Sequence, residues 1–458
     1  MRVVICGAGQ VGTSIARYLA GEGNDVTVID KEPALIQRIN EQLDVRAIVG
    51  FASHPAVLEQ AGTRDADMII AVTYADEVNM VACEVAHALF KVPTKVARIR
   101  HQGYLDRAWS DLFSRENLPI DVIISPEIEV AAAVFRRLQV PGAFDLHSLA
   151  DDLVKVVGVR CGPECPLLNT PLRQLTSLFP DLSLVVVGIV RNDKAIVPTA
   201  EDQMLEGDEV YFVCDSRHLQ RAMAAFGHEE SEARRLVIAG GGNIGLGLAQ
   251  RLEQAGGGFN VKIIEYNRER AEALAAQLPG TMVLHGDALD PEILDEANVR
   301  QAETFVAVTN EDEVNIMASL VAKRYGCQRA VTLVNNVGFG PMVATLGIDT
   351  VVNPKAITVS TILQHVRRGR IRAVHSLRDG LGEVIEGEAM ETSPLVGVPL
   401  REAKLPAGII VGAVVRQGMV LMPRADTVVE AKDRVVLFAA SAVVKKVDKL
   451  FSVRLEFF

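Results

Sequence analysis

Short runs of β-branched and aliphatic residues recur along the first part of the chain, at residues 3–6, 26–29, 68–72, 96–99 and 122–124. Between them lie longer stretches, 11–20 and 78–90 among them, whose apolar residues return at helical spacing. Strands alternating with helices in this way predict a parallel sheet with crossover helices over residues 1–140. After Pro141-Gly142-Ala143 the pattern changes. Strand-like segments at 153–159, 184–190 and 209–214 are separated by Gly- and Pro-punctuated turns, which predicts a small α+β module of about 80 residues.

The same pattern then repeats. Val4 to Gly12 matches Val237 to Gly245 at an offset of 233, and Val26 to Asp30 matches Val261 to Glu265 at an offset of 235. Asp76-Glu77-Val78-Asn79 is repeated letter for letter as Asp312-Glu313-Val314-Asn315, and Ser125-Pro126 is answered by Asn353-Pro354. Collinear matches whose offsets drift by only a few residues mark a tandem duplication. The predicted fold is therefore α/β, a tandem repeat of Rossmann-type doubly wound parallel sheets, each followed by a small α+β lobe. The expected boundaries are 1–140, 141–227, 228–367 and 368–458.

Composition narrows the function classes. Of 458 residues, 49% are hydrophobic, ample for several cores, and the mean hydropathy is +0.21. That hydrophobicity comes in short pieces. The longest stretch without a polar side chain, 405–415, is eleven residues, against the roughly 18 or more needed to span a bilayer. No signal-peptide pattern opens the sequence, so a cytoplasmic protein is expected. A net charge of −11 argues against a nucleic-acid partner. Six scattered cysteines fit a reducing compartment, and the one close pair, Cys161 and Cys165, lacks the second pair a zinc site needs, so no metal is expected.

The candidate chemistry sits at the ends of the predicted strands. Gly7-x-Gly9-x-x-Gly12 lies between a strand and a helix, with Asp30 closing the second strand. These are the parts of a dinucleotide fingerprint: a tight turn, a backbone that can approach a pyrophosphate, a close helix–strand contact, and an acid for a ribose diol. Gly240, Gly242, Gly245 and Glu265 repeat it. Arg98 and Arg100 alternate at a strand end, where two guanidiniums suit phosphate oxygens; Leu333 and Asn335 stand at the matching places of the second half. Thr73 and Thr309 fall near the cofactor mouth. The acids of the repeated Asp-Glu-x-Asn segments are expected to cap helices and wall the sites. His147 and His375 recur as packed junction residues.

A dehydrogenase would need a substrate domain with a proton-transfer group aimed at a nicotinamide, and the small modules carry no such constellation in both copies. A nucleotide-reading regulatory protein is therefore expected. The alternatives are an NAD-dependent oxidoreductase, which predicts hydride turnover, and a scaffold with degenerate sites, which predicts no nucleotide binding.

Two such Rossmann units, each with its acid, its Asp-Glu-x-Asn segment and a following lobe, with Gly286-Asp287-Ala288 in the second, resemble duplicated regulator-of-potassium-conductance (RCK, or KTN) domains. The arrangement is similar to the peripheral subunits of bacterial Trk potassium-uptake systems. The resemblance implies a non-enzymatic gating-ring protein that binds NAD(H) and ATP/ADP. It further implies a homo-oligomer, expected to be a tetramer, held at the cytoplasmic face of the inner membrane by an integral membrane Trk potassium-channel subunit. Carried over residue by residue, it assigns nucleotide contacts to Gly7, Gly9, Gln10, Val11, Gly12, Asp30, Arg98 and Arg100. In the second half it assigns Gly240, Gly242, Asn243, Ile244, Gly245, Glu265 and Asp287. Phe51 stands where Asp287 stands in the second half. With no arginine pair in the second site, the first is expected to answer ATP/ADP and the second to favour NAD(H).

Overall fold

The computed structural model describes residues 1–451 except 179–181, 193, 230–231, 340–341, 344–345, 367–370 and 378–380. The expected boundary at 367/368 lies outside the described residues. The chain forms two compact units that each draw on both halves: one takes Met1–Ala132 with Arg235–Val366, the other Ala133–Arg234 with Arg367–Phe458.

In the first unit the chain runs β1 (Arg2–Cys6), α1 (Gln10–Gly21), β2 (Asp25–Asp30), α2 (Pro33–Gln42), β3 (Arg46–Val49), α3 (Pro55–Gln60), β4 (Met68–Ala71), α4 (Asp76–Ala88), β5 (Thr94–Arg98), β6 (Val122–Ile124) and α5 (Pro126–Gln139). The six strands lie in the order β3-β2-β1-β4-β5-β6, all parallel. Because β1 sits between β2 and β4, the chain leaves it toward opposite edges of the sheet, which opens a crevice at the strand C-termini. β3 was not among the strands expected from hydrophobicity. Only Ile48 of its four residues is buried, so an edge strand leaves almost no apolar signature.

The small module that follows comprises β7 (Ala143–Leu149), β8 (Val154–Arg160), α6 (Leu172–Leu178), β9 (Leu184–Arg191), β10 (Lys194–Ile196), β11 (Glu209–Asp215) and α7 (Leu219–Ala225). The second Rossmann unit follows as β12 (Arg235–Ala239), α8 (Asn243–Ala255), β13 (Asn260–Glu265), α9 (Arg268–Gln277), β14 (Met282–His285), α10 (Pro291–Glu296), β15 (Thr304–Ala307), α11 (Asp312–Tyr325), β16 (Arg329–Leu333), β17 (Thr350–Val352) and α12 (Pro354–Val366). Its sheet, β14-β13-β12-β15-β16-β17, repeats the first order position by position. The last module holds β18 (Ile371–Ser376), β19 (Gly382–Glu388), β20 (Ile409–Arg416), β21 (Met419–Leu421) and β22 (Arg434–Ala440). Among the described residues no helix is long and apolar enough to cross a membrane.

The two Rossmann sheets are joined by exchanged helices. α12 of the second half lies against α1, and its Ile362, fully buried, joins the first sheet's core with Ile5, Ile15 and Val28. Reciprocally, Ala131 of α5 faces Gly247 of α8, where a Cβ would stand 3.5 Å from the alanine methyl. In the second unit the small modules' five-stranded antiparallel sheets share a core of Val156, Tyr211 and Val213 with Val384, Val436 and Phe438. Gly188 and Gly412 mark the closest approach. A Cβ on either would come within 2.9 Å of Leu381 or 2.7 Å of Val213 respectively.

A candidate nucleotide cleft

At the end of β1 the chain turns through Gly7 at φ +113°, a conformation that favours glycine. A Cβ there would lie 2.9 Å from the Val72 carbonyl oxygen, and one on Gly12 only 1.9 Å from that of Gly7. Around Gly9, which caps α1 without any side-chain bond, the space is open. The first amides of α1 are thus left pointing at an accessible position, the arrangement that binds phosphate. Gly240 (φ +105°), Gly245 (2.0 Å from the Gly240 carbonyl oxygen) and Gly242 repeat these roles before α8.

The acid that closes each second strand braces the turn. Asp30 Oδ2 accepts the Ala8 N–H at 2.6 Å and Oδ1 the Glu32 N–H at 2.9 Å. Glu265 accepts the Gly241 and Asn267 N–H groups at 2.7 and 2.8 Å. Each carboxylate oxygen keeps acceptor capacity for a ribose hydroxyl.

A cavity of about 1270 Å³ runs along both turns. Of the first half's candidates it is lined by Gly7, Gly9, Gln10, Val11, Asp30, Thr73, Arg98 and Arg100, together with Phe51; of the second half's, by Gly242, Asn243, Ile244 and Thr309. Gly12, Gly240, Gly245, Glu265 and Asp287 lie off its wall. Gly240 and Gly245 of the second turn, like Gly12 of the first, are positions where a Cβ would meet backbone atoms. Asp287 spends one carboxylate oxygen on the Leu289 N–H.

Arg98 and Arg100 both reach this wall. Arg98 Nη2 donates to the Thr73 carbonyl oxygen at 2.7 Å, and its buried Nε has no partner among the described residues. Burial, then the neighbouring Arg100, lowers its pKa. Arg100 Nε donates to Glu127 at 3.2 Å, and its guanidinium lies 5.6 Å from the Tyr74 ring centre. The strand end is held by Asn79: Oδ1 accepts from the N–H and hydroxyl of Thr73, and Nδ2 donates to the carbonyl oxygens of Thr73 and Arg98. Asn315 does the same for Thr309 and Leu333.

The acids lie in the first turns of α4 and α11 as expected, with Asp312 and Glu313 on the cavity wall, and the two aspartates take a further role. Neither α4 nor α11 receives a side-chain cap. Asp76 accepts the N–H groups of Arg100 and His101, and Asp312 those of Asn335 and Asn336. These carboxylates fix the loop after the fifth strand, since an unsatisfied N–H there would be costly.

The second site has no counterpart of the Arg98 and Arg100 pair, as expected, but it has cations from other positions. Arg270 and Lys355 line the cavity. Arg270 Nε donates to the Gly241 carbonyl oxygen at 2.8 Å; Lys355 Nζ donates to that of Asn335 at 2.7 Å. Burial lowers the Lys355 pKa against the pull of Asp312. The signal was available in the repeat alignment, where Pro354-Lys355 answers Pro126-Glu127 and Arg270 answers Leu35. Arg270 and Lys355 stand on α9 and α12, away from the strand end where Arg98 stands in the first half. Among the described residues no group of three or more His, Cys, Asp or Glu side chains is placed to hold a metal.

Comparison with known proteins accounts for nearly the whole chain. The TrkA-N domain model matches residues 3–126 and 236–354, and the TrkA-C domain model matches 156–227 and 385–452. The chain is 56% identical to the Trk system potassium uptake protein TrkA of Azorhizobium caulinodans, covering 100% of both chains, and 42% identical to that of Halomonas elongata, again over 100% of both. Among solved structures, the GsuK RCK domain superposes over 99% of this chain and 95% of its own, with a TM-score of 0.58 at 18% identity. The GsuK channel bound to NAD gives the same TM-score, 0.58, at 18% identity, over 99% of this chain and 79% of its own.

Proposed function

The chain belongs to the TrkA family of Trk-system potassium uptake proteins, and from that premise we propose that it is the regulatory, non-enzymatic subunit of a potassium-uptake system. It reads NAD(H) and ATP/ADP and passes that state to an integral membrane channel subunit. The observation that carries this reading is the common cleft. Two glycine turns with uncapped helix N-termini open into it beside unpaired arginine nitrogens. In the first half, Gly9, Gln10 and Val11 cradle phosphates, Gly7 and Gly12 shape the turn, and Asp30 takes the ribose diol. Arg98 and Arg100 face the terminal phosphates, and Thr73 borders the mouth. In the second half Gly242, Asn243 and Ile244 form the cradle, Gly240 and Gly245 the turn, Glu265 the ribose acid and Thr309 the mouth; Asp287 lies toward the adenine side. The protein works as a homotetramer at the cytoplasmic face of the bacterial inner membrane.

A ligand shifts a gate only by its difference in affinity for the two gate states. ATP and ADP differ by one phosphate, so arginines at the phosphate end can generate that difference. Calorimetric titration with ATP, ADP, NADH and NADPH, with oligomer mass followed by light scattering, tests the reading. We expect saturable binding without redox turnover, and roughly tenfold or more weaker ATP binding in the Arg98→Ala/Arg100→Ala protein. Absence of any nucleotide binding would end it.

A further inference from the structure

The two halves present different walls to the shared cleft. In the first half the cavity extends past the glycine turn to Asp30, Leu35 and Phe51; in the second it stops at Arg270, short of Glu265. The residue answering Arg270 in the first half is Leu35, so the guanidinium is an addition of the second half alone.

That guanidinium is anchored and incomplete. Nε is tied to the carbonyl oxygen of Gly241, inside the glycine turn. Nη2 is buried and has no hydrogen-bond partner among the described residues. Of the acids here, Glu265 holds the Gly241 and Asn267 amides and Asp312 those of Asn335 and Asn336, while Glu311 and Glu313 also line the cleft. A fixed cation with a buried unpaired donor, beside the uncapped N-terminus of α8, has the chemistry of an anion site.

We propose that Arg270, with Lys355 lining the same cleft, binds the diphosphate group of a nucleotide in the second Rossmann unit, the group shared by ADP and NAD(H). The second site thereby has its own cations, drawn from α9 and the start of α12, where the first site takes Arg98 and Arg100 from the end of β5 and the loop after it. This rests on the nucleotide-binding reading above, and its test separates the two.

The test titrates the full chain calorimetrically with ADP and, separately, with NADH, in the wild type and in Arg270→Ala, Arg270→Gln and Lys355→Ala. Melting temperatures verify that each variant is folded. Two binding events per wild-type chain are expected. Arg270→Ala and Arg270→Gln should weaken one of them roughly ten- to a hundredfold and leave the other unchanged, with Lys355→Ala weakening the same event less. The ADP and NADH arms show which nucleotide supplies the diphosphate. Two intact events in both Arg270 variants would overturn the proposal while leaving nucleotide binding standing. Tighter binding on truncation would overturn it too, by making Arg270 a plug. No event in the wild type would remove the nucleotide reading itself, and this proposal with it.

Discussion

His147 and His375, one from each small module, stack with ring centres 4.6 Å apart. His375 is half-buried, and its desolvation, followed by the charges of His147 and Arg136, pushes its pKa well below the usual 6.5. The folded protein therefore holds it neutral, whereas the unfolded chain takes up a proton as pH falls through about 6.5. Stability is lost on acidification from that point downward. Asp145 acts at lower pH. Burial opposes its ionisation, but His147 and Arg137 outweigh that and hold the carboxyl well below the ordinary range. Its contribution is present above about pH 4 and lost as pH falls through the lower folded value. The melting temperature should accordingly decline between pH 8 and 5, and His375→Phe, which retains the stack, should flatten that decline. An unchanged slope would place the acid sensitivity elsewhere. The recurrence of these histidines was legible in the sequence, but their mutual contact was not, because repeats report equivalence and not proximity. The bracing role of Asn79 was hidden for a related reason. Three of its four bonds run to backbone groups, which have no letter in the sequence.

At the scale of elements, the buried strands and amphipathic helices were the readable part. β1 (Arg2–Cys6) buries four of its five residues and so announces itself by composition. β7 (Ala143–Leu149) carries Asp145 and His147 on a half-covered face, and β10 (Lys194–Ile196) has no buried residue, so neither stood out. What hydrophobic periodicity could not give is which sheet a helix covers. α12 (Pro354–Val366) is apolar enough for a core helix, yet its Ile362 and Val359 pack in the core of the first half's sheet. Ile362→Ala should cost about 2–4 kcal/mol through lost burial and the cavity left behind. The loss should appear in urea unfolding and fastest in hydrogen exchange of α1. Unaltered protection of α1 would mean that the helix only rests on that core.

For the whole molecule, the duplication was plain in the sequence, but its physical meaning came from the exchange of surfaces. Each half leaves apolar area that the other covers: α12 on α1 in the first unit, and the facing sheets in the second. Residues 1–227 expressed alone would carry both uncovered faces, and we expect them to pair with a second copy, giving a dimer mass by light scattering. A stable monomer would show that either half can close without the other. The candidate cleft was only half legible on this scale. The glycine turns were visible one at a time, whereas their opening into one cavity, and the different cations on its two walls, required both halves in place.

Ile362 also sets a schedule for the ribosome. α1 emerges early, but the residue that seals its core lies roughly 340 positions later, some 20 to 70 seconds of elongation at about 5–20 residues per second; the first sheet is complete about 240 positions before that residue. During that interval Ile15 and its neighbours on α1 present an open apolar seat to the cytosol. The nascent chain must be shielded, or must wait unpaired, until its own far end arrives.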